Sequence, residues 1–190
     1  MLERYGILTR EMALAEGIPG GFSALYPELS NLEVLGSARR GYFVEGLGGA
    51  QFVLAGAVER LRGMPAADGS LTVLASTDPA SPWGAMLPWP KLEGGRRAAR
   101  TPGSFIVSRD GNPLLYVEKG GRGLLRLDPS LEGQDLADCL AELVRLANEK
   151  VIPALGIERF DGESVFGSDF EPLLTSAGFA RRPRKLVAPS

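Results

Sequence analysis

Arginine and tryptophan, in three clusters, are the residues of this chain whose types and spacing could do chemistry. Trp83 and Trp89 stand in a Pro- and Gly-rich stretch that continues to Lys91, Arg96, Arg97 and Arg100. Aromatic faces interleaved with cations suit stacking on the bases of a single strand, with phosphate contacts alongside. The same residues could instead plug a gap between sub-domains with two indoles and leave a solvated basic turn. Arg181, Arg182, Arg184 and Lys185 are the densest basic cluster. On a strand, Arg182 and Arg184 share one face and Arg181 and Lys185 the other, as a phosphate-binding edge or a solvated tail. Arg39 and Arg40 lead into a hairpin, where basic residues commonly meet phosphates.

What is missing narrows the choice. There is no His and one Cys in 190 residues, which excludes an internal disulfide and removes the commonest zinc ligand and general base. No GxxxxGK[ST] occurs, so a P-loop is not expected. Gly46-x-Gly48-Gly49 and Gly120-Gly121-x-Gly123 are not GxGxxG and read as turns. With a net charge of −2, a nucleic-acid site must be a local patch. Neither a signal peptide nor an apolar run near membrane-spanning length is present, so no membrane partner and a cytoplasmic chain are expected.

Elements to hold these clusters follow from local pattern. Thr9 can cap a short helix that stops at Gly17, with Glu11 in its first turn. Phe22, Leu25, Tyr26, Leu29, Leu32 and Leu35 recur at three-and-four spacing, the stripe of a second helix, with Pro27 expected to kink it or shift its start. Strand patterns over Ala38–Glu45 and Ala50–Leu54 flank a Gly-rich turn. Two helices and a hairpin in that order are the back end of a winged helix. Met1–Tyr5 reads as the last turn of a helix that begins upstream. Ala57–Arg62 is a short helix, Leu71–Ala75 a strand, and Ser76–Gly103 a long aperiodic loop, functional or partly mobile. Asp110-Gly111-Asn112-Pro113 and Lys119-Gly120-Gly121-Arg122 separate strands over Ser104–Arg109, Leu114–Glu118 and Gly123–Leu127, predicting a small antiparallel sheet or half-open barrel. Gln134–Glu149 carries a buried stripe of Leu136, Leu140, Leu143 and Ala147, with Cys139 beside it. Leu155–Phe160 reads as one strand, Ser168–Glu171 as a capping box, and Phe179–Ala188 as an extended end.

The segments GILTREMALAEGIPGGFSALYPELSNLE, ARRGYFVEGLGGAQFVLAGAVERLR and LTVLASTDPASPWGAMLPWP resemble the C-terminal region of the Lhr family of large ATP-dependent DNA helicases, of the DEAD/DEAH-box superfamily 2. The likeness continues more weakly to the helix-rich tail. It implies a nucleic-acid-associated accessory domain acting in DNA repair, without the helicase core, so that ATP and Mg belong elsewhere and no cofactor is expected here. Implied partners are DNA, single strands included, the upstream helicase domains of the same chain, and a homo-oligomer.

The family's region also resembles AlkZ-type DNA glycosylases, and a uracil-glycosylase activity is associated with it. Such an enzyme needs a carboxylate or amide to hold water by a flipped nucleotide. Asp78 and Gln51 are the weak catalytic candidates, although Gln51 is followed by Phe52 and Val53 rather than by the Gln-x-Gln pattern, and Asp78 before Pro79 fits a turn former. An α+β chain is therefore expected, with a winged-helix module over 1–65 and a mixed α/β module over 70–190. It would serve as a DNA-associated accessory domain, a glycosylase module, or an assembly scaffold that binds no DNA.

Overall fold

A computed structural model describes residues 1–188. Thr9 lies in extended backbone and its hydroxyl accepts the Met12 N–H at 3.3 Å, starting α2 (Arg10–Ala15). Ahead of it stand one turn of helix, α1 (Leu2–Tyr5), and a two-residue strand, β1 (Ile7–Leu8), too short to leave a pattern in the sequence. The next helix, α3 (Gly21–Val34), runs through Pro27 without interruption. Pro27 removes the partner of the Ser23 carbonyl four residues back. Ser23 is exposed, so water can take that place, and the expected kink or shifted start is not needed.

Two further strands complete the winged helix. β2 (Ala38–Gly41) and β3 (Gln51–Leu54) pair antiparallel, and β1 joins the other side of β3, in the order β1-β3-β2. A short helix, α4 (Ala57–Arg62), follows. Leu2, Leu8, Met12, Leu29, Ala38 and Phe52 are the buried core, with Phe22, Leu25, Tyr26 and Leu32 packed against it. Phe22, Tyr26 and Phe52 meet with ring centroids 5.8–6.2 Å apart. The stripe ends at Leu32, because Leu35 is the residue that caps α3 and is 75% exposed. By contacts this unit comprises Met1–Ala66 with Ala85–Leu87.

The other unit begins at Ala67, omits Ala85–Leu87 and continues from Pro88. Strands β4 (Leu71–Ala75), β5 (Phe105–Arg109), β6 (Asn112–Val117) and β7 (Gly123–Arg126) form an antiparallel meander. Asp110 and Gly111, both at positive φ (50° and 82°), make the β5–β6 turn by themselves. Asn112 and Pro113 therefore belong to β6 rather than to the turn. A bulge between Val107 and Ser108 takes up the register shift, with Ser108 opposite Pro113.

Alternation along the meander makes two apolar faces. Val107, Leu115, Val117 and Leu124 lie in the main core with Leu136, Cys139, Leu140, Leu143 and Ala147 of α5 (Gly133–Asn148). Ile106, Tyr116 and Leu125 form a second core covered by Trp83, Trp89 and Leu92.

The run expected as one strand over 155–160 is two. β8 (Gly156–Ile157) and β9 (Arg159–Phe160) lie in different sheets, because the Glu158 and Arg159 N–H groups both turn to the Arg122 carbonyl. β9 pairs parallel with β7 and antiparallel with β10 (Glu163–Ser164), giving an open six-stranded sheet in the order β10-β9-β7-β6-β5-β4. α6 (Phe170–Ser176) starts one step off the expected box. Ser168 Oγ accepts the Phe170 N–H at 3.3 Å, and Glu171 reaches back to the Gly167 N–H at 2.9 Å. The extended end is a hairpin, β11 (Ala180–Arg182) and β12 (Lys185–Val187), with β12 also pairing with β8. The architecture is α+β, a winged helix and a mixed α/β module with small antiparallel sheets and no closed barrel. No helix among the described residues is long and apolar enough to cross a membrane.

Candidate nucleic-acid interface

The winged-helix helix that would enter a groove is poor in cations. The outward positions of α3 are Ser23, Ala24, Pro27, Glu28, Asn31 and Val34. Arg39 pairs with Glu59 at 3.1 Å. Arg40 pairs with Glu33 at 2.8 Å, donates to the Tyr26 hydroxyl at 2.5 Å, and lies 5.8–5.9 Å from the centroids of Phe52 and Tyr26. The Glu33 charge holds the Arg40 guanidinium more firmly protonated than usual. Arg40 is thus committed to tying β2 to α3, and Glu33 is neutralised rather than left to repel an anion.

Gln51 is fully buried on β3, with all its polar atoms engaged. Its Oε1 accepts the N–H groups of Phe43 and Val44 at 2.7 and 2.8 Å. Its Nε2 donates to the Val44 and Leu47 carbonyls at 3.1 and 3.2 Å. This side chain replaces the ladder that a longer hairpin would have made, which is why β2 stops at Gly41 instead of reaching Glu45. No lone pair or proton of Gln51 is left for water.

Asp78 is engaged through one of its two carboxylate oxygens. Its carboxylate accepts the Ala80 N–H at 2.8 Å, the Asx turn that Asp-Pro suggests. Its carbonyl accepts from Arg100, whose guanidinium also donates to the Ser81 and Trp83 carbonyls at 2.8 and 3.3 Å. Arg100 folds the loop on itself. Asp78 and Gln51 belong to different contact units.

The two indoles do packing work. Trp89 meets Tyr116 edge-on at 5.7 Å, and its indole lies so close over Gly84 that a Cβ there would overlap it. Trp83 Nε1 donates to the Gly111 carbonyl at 3.4 Å. Both are half-buried, leaving part of each ring accessible.

The sequence candidates that have no carboxylate partner among the described residues lie in the second unit. Arg97 is exposed on the long loop, and Arg182 and Arg184 are exposed on the β11–β12 hairpin. Arg182 faces Lys185 across the hairpin and Arg184 sits in its turn, so the face-sharing expected of one continuous strand is replaced. Arg181 pairs with Glu171 at 2.8 Å over the Phe166 ring.

Arg96 lies across the Asp161-Gly162 turn, where a Cβ on Gly162 would come within 3.1 Å of its guanidinium, so only glycine fits both that approach and the φ of 86°. Lys91, Leu92, Arg96, Arg126, Pro129, Glu132 and Asp161 line one cleft of about 230 Å³. Arg126 was not among the sequence candidates. It sits at the end of a strand, 35 residues from the aspartate that holds it, and no local spacing marks it.

The fold is that of a winged helix joined to a mixed α/β module, with Arg97, Arg182 and Arg184, unpaired among the described residues, exposed on a loop and a hairpin. A family model for the winged-helix domain of large helicase-related proteins matches residues 1–73. An "Lhr helicase/ probable uracil glycosylase" of Mycolicibacterium smegmatis is 39% identical over 199 residues, covering 98% of this chain and 13% of that protein. An "Lhr helicase/uracil glycosylase" of Escherichia coli is 40% identical over 131 residues, 66% of this chain and 8% of that protein. The chain belongs to the Lhr family and carries its C-terminal winged-helix domain. It spans a small fraction of the length of these relatives.

Proposed function

We propose that this chain is a nucleic-acid-associated accessory domain of an Lhr-type ATP-dependent DNA helicase acting in DNA repair. One observation carries the reading: Arg97, Arg182 and Arg184, which have no carboxylate partner among the described residues, are exposed on a loop and a hairpin, while α3 presents no cation. Phosphate contacts then position the domain on a strand without reading bases. The partly exposed ring surfaces of Trp83 and Trp89 favour single strands.

The test is a fluorescence titration of one oligonucleotide across a salt series. Each phosphate contact contributes about −0.7 to the salt slope on single strands and about −0.9 on duplex. Arg182→Ala with Arg184→Ala should flatten the slope by up to about two units on duplex, and Arg97→Ala by about one. Glu28→Gln should leave affinity unchanged or slightly raised. If the parent chain does not bind at low salt, an assembly scaffold replaces this reading.

The relatives' printed names favour a second reading, a uracil-releasing module. Release of free uracil from a uracil-containing strand tests it. Gln51 has no atom to spare for the water such a reaction needs, whereas Asp78 keeps one carboxylate oxygen without a partner among the described residues.

A further inference from the structure

We infer that the cleft between the long loop and the end of β7, lined by Lys91, Arg96 and Arg126, is a binding site for a phosphate group. The inference rests on the nucleic-acid reading for its occupant and adds residues and geometry to it. Three cations and two carboxylates line this cleft. Asp161 is used up in positioning: its Oδ1 accepts the Arg126 backbone N–H at 2.9 Å and its Oδ2 accepts Arg126 Nε at 2.7 Å. That grip on Nε fixes the guanidinium, whose plane rests 5.5 Å from the Phe170 ring centroid, and leaves both terminal nitrogens for a ligand.

Glu132 lies 3.6 Å from Nη1, too far for a hydrogen bond, and its side chain is 77% exposed, so it can swing into water. Arg96 is held over the Asp161-Gly162 turn, whose backbone is set by positive φ at both residues. A fixed guanidinium fork, a second arginine on the adjacent turn and a lysine at the rim match an oxyanion with several acceptors. Residue Glu132 also caps α5, so the positive end of a 16-residue helix dipole adjoins the cleft. A volume of about 230 Å³ is ample for a phosphate group.

The phosphate could be a phosphodiester of a strand or a free phosphate ion. Two-dimensional NMR on the whole chain distinguishes them, following the Arg96 and Arg126 side-chain Nε–H and Gly162 amide signals. One titration uses inorganic phosphate, one a short oligothymidylate, and one the same oligomer with an uncharged methylphosphonate backbone. The expected result is movement of all three signals with phosphate and oligothymidylate, and none with the uncharged oligomer.

Lys91→Gln with Arg96→Gln should abolish the Gly162 and Arg126 movement and flatten the single-strand salt slope by up to about 1.4. Arg62→Gln with Lys150→Gln removes the same charge elsewhere and should do neither. Circular dichroism checks that both variants fold. If oligothymidylate binds without moving these signals, or both double variants weaken it equally, the phosphate site is overturned while the nucleic-acid reading stands. If inorganic phosphate moves them and oligothymidylate neither moves them nor binds, the site stands with a free phosphate as its ligand and the nucleic-acid reading falls.

Discussion

Replacing Gln51 by alanine separates a structural amide from a chemical one. The wild-type side chain makes four hydrogen bonds of 2.7–3.2 Å to the backbone of Phe43, Val44 and Leu47 and is fully buried. A net value of about 0.5–1.5 kcal/mol per hydrogen bond would put the loss at roughly 2–6 kcal/mol. The lower half of that range is expected, because Phe43 and Val44 are only partly buried and water can reach some of the freed groups. Gln51→Leu should cost no less, since it also leaves the Phe43 and Val44 N–H groups without an acceptor. The assay is urea unfolding of each variant, with hydrogen exchange at the Phe43 and Val44 amides as the local readout. Those two amides should lose protection before β3 does. A stability loss under about 0.5 kcal/mol with protection unchanged would refute the clamp, and Gln51 would again be available as a catalytic amide.

Leu29→Ala should cost about 2–5 kcal/mol, because Leu29 is the buried residue of α3 at the centre of the winged-helix core; a loss below about 0.5 kcal/mol would put the stripe against solvent. Cys139 is buried in the main core, and burial pushes its thiol up to about 11. It should stay unreactive to iodoacetamide at neutral pH in the folded chain and react fully in urea, as mass spectrometry would read. Hydrogen bonds from Arg145 hold the Glu142 carboxyl below the ordinary glutamate value of 4.5, and the Tyr5 hydroxyl does the same for Glu16. Folded values below unfolded ones mean a contribution present in full above that pH and lost as pH falls through the lowered values. The urea midpoint should therefore drop as pH falls below about 4.5, and less so in Glu142→Gln. The purified chain should show no DNA-stimulated ATP turnover, having no phosphate-cradling P-loop; measurable turnover in a coupled assay would contradict this.

The elements with strong periodicity were legible. Thr9 before Arg10–Ala15, the Leu136–Leu140–Leu143–Ala147 stripe and the β-prone run Leu71–Ala75 each announce an element that the structure contains. What escaped was decided at long range. β1 is two residues that become a strand only because β3 offers an edge. The break at Glu158 follows from a carbonyl 36 residues earlier, at Arg122, capturing two successive N–H groups. Proline usually punctuates strands, so the sequence pattern puts Pro113 in a turn, but the Asp110-Gly111 pair closes the turn alone and a bulge accommodates the ring.

The site was legible as chemistry and not as geometry. Residue type identifies a cation but not its partner, and partners divide the arginines here. Arg40 is spent on Glu33 and two rings, Arg100 on three carbonyls, and Arg39 on Glu59. Arg97, Arg182 and Arg184 are not spent among the described residues. A charge count over the winged helix would rank Arg39 and Arg40 as phosphate contacts. The ion pairs reverse that order, because transferring either arginine to a phosphate first requires giving up a carboxylate already in place. Surface pairs of this kind are worth about 0–1 kcal/mol, a modest cost for Arg39. For Arg40 the Tyr26 hydroxyl bond and the two ring faces go with it, and the β2–α3 junction with them. Arg40→Ala should therefore lower stability more than DNA affinity. Arg182→Ala should do the opposite, and a variant pair behaving alike in both assays would break the distinction.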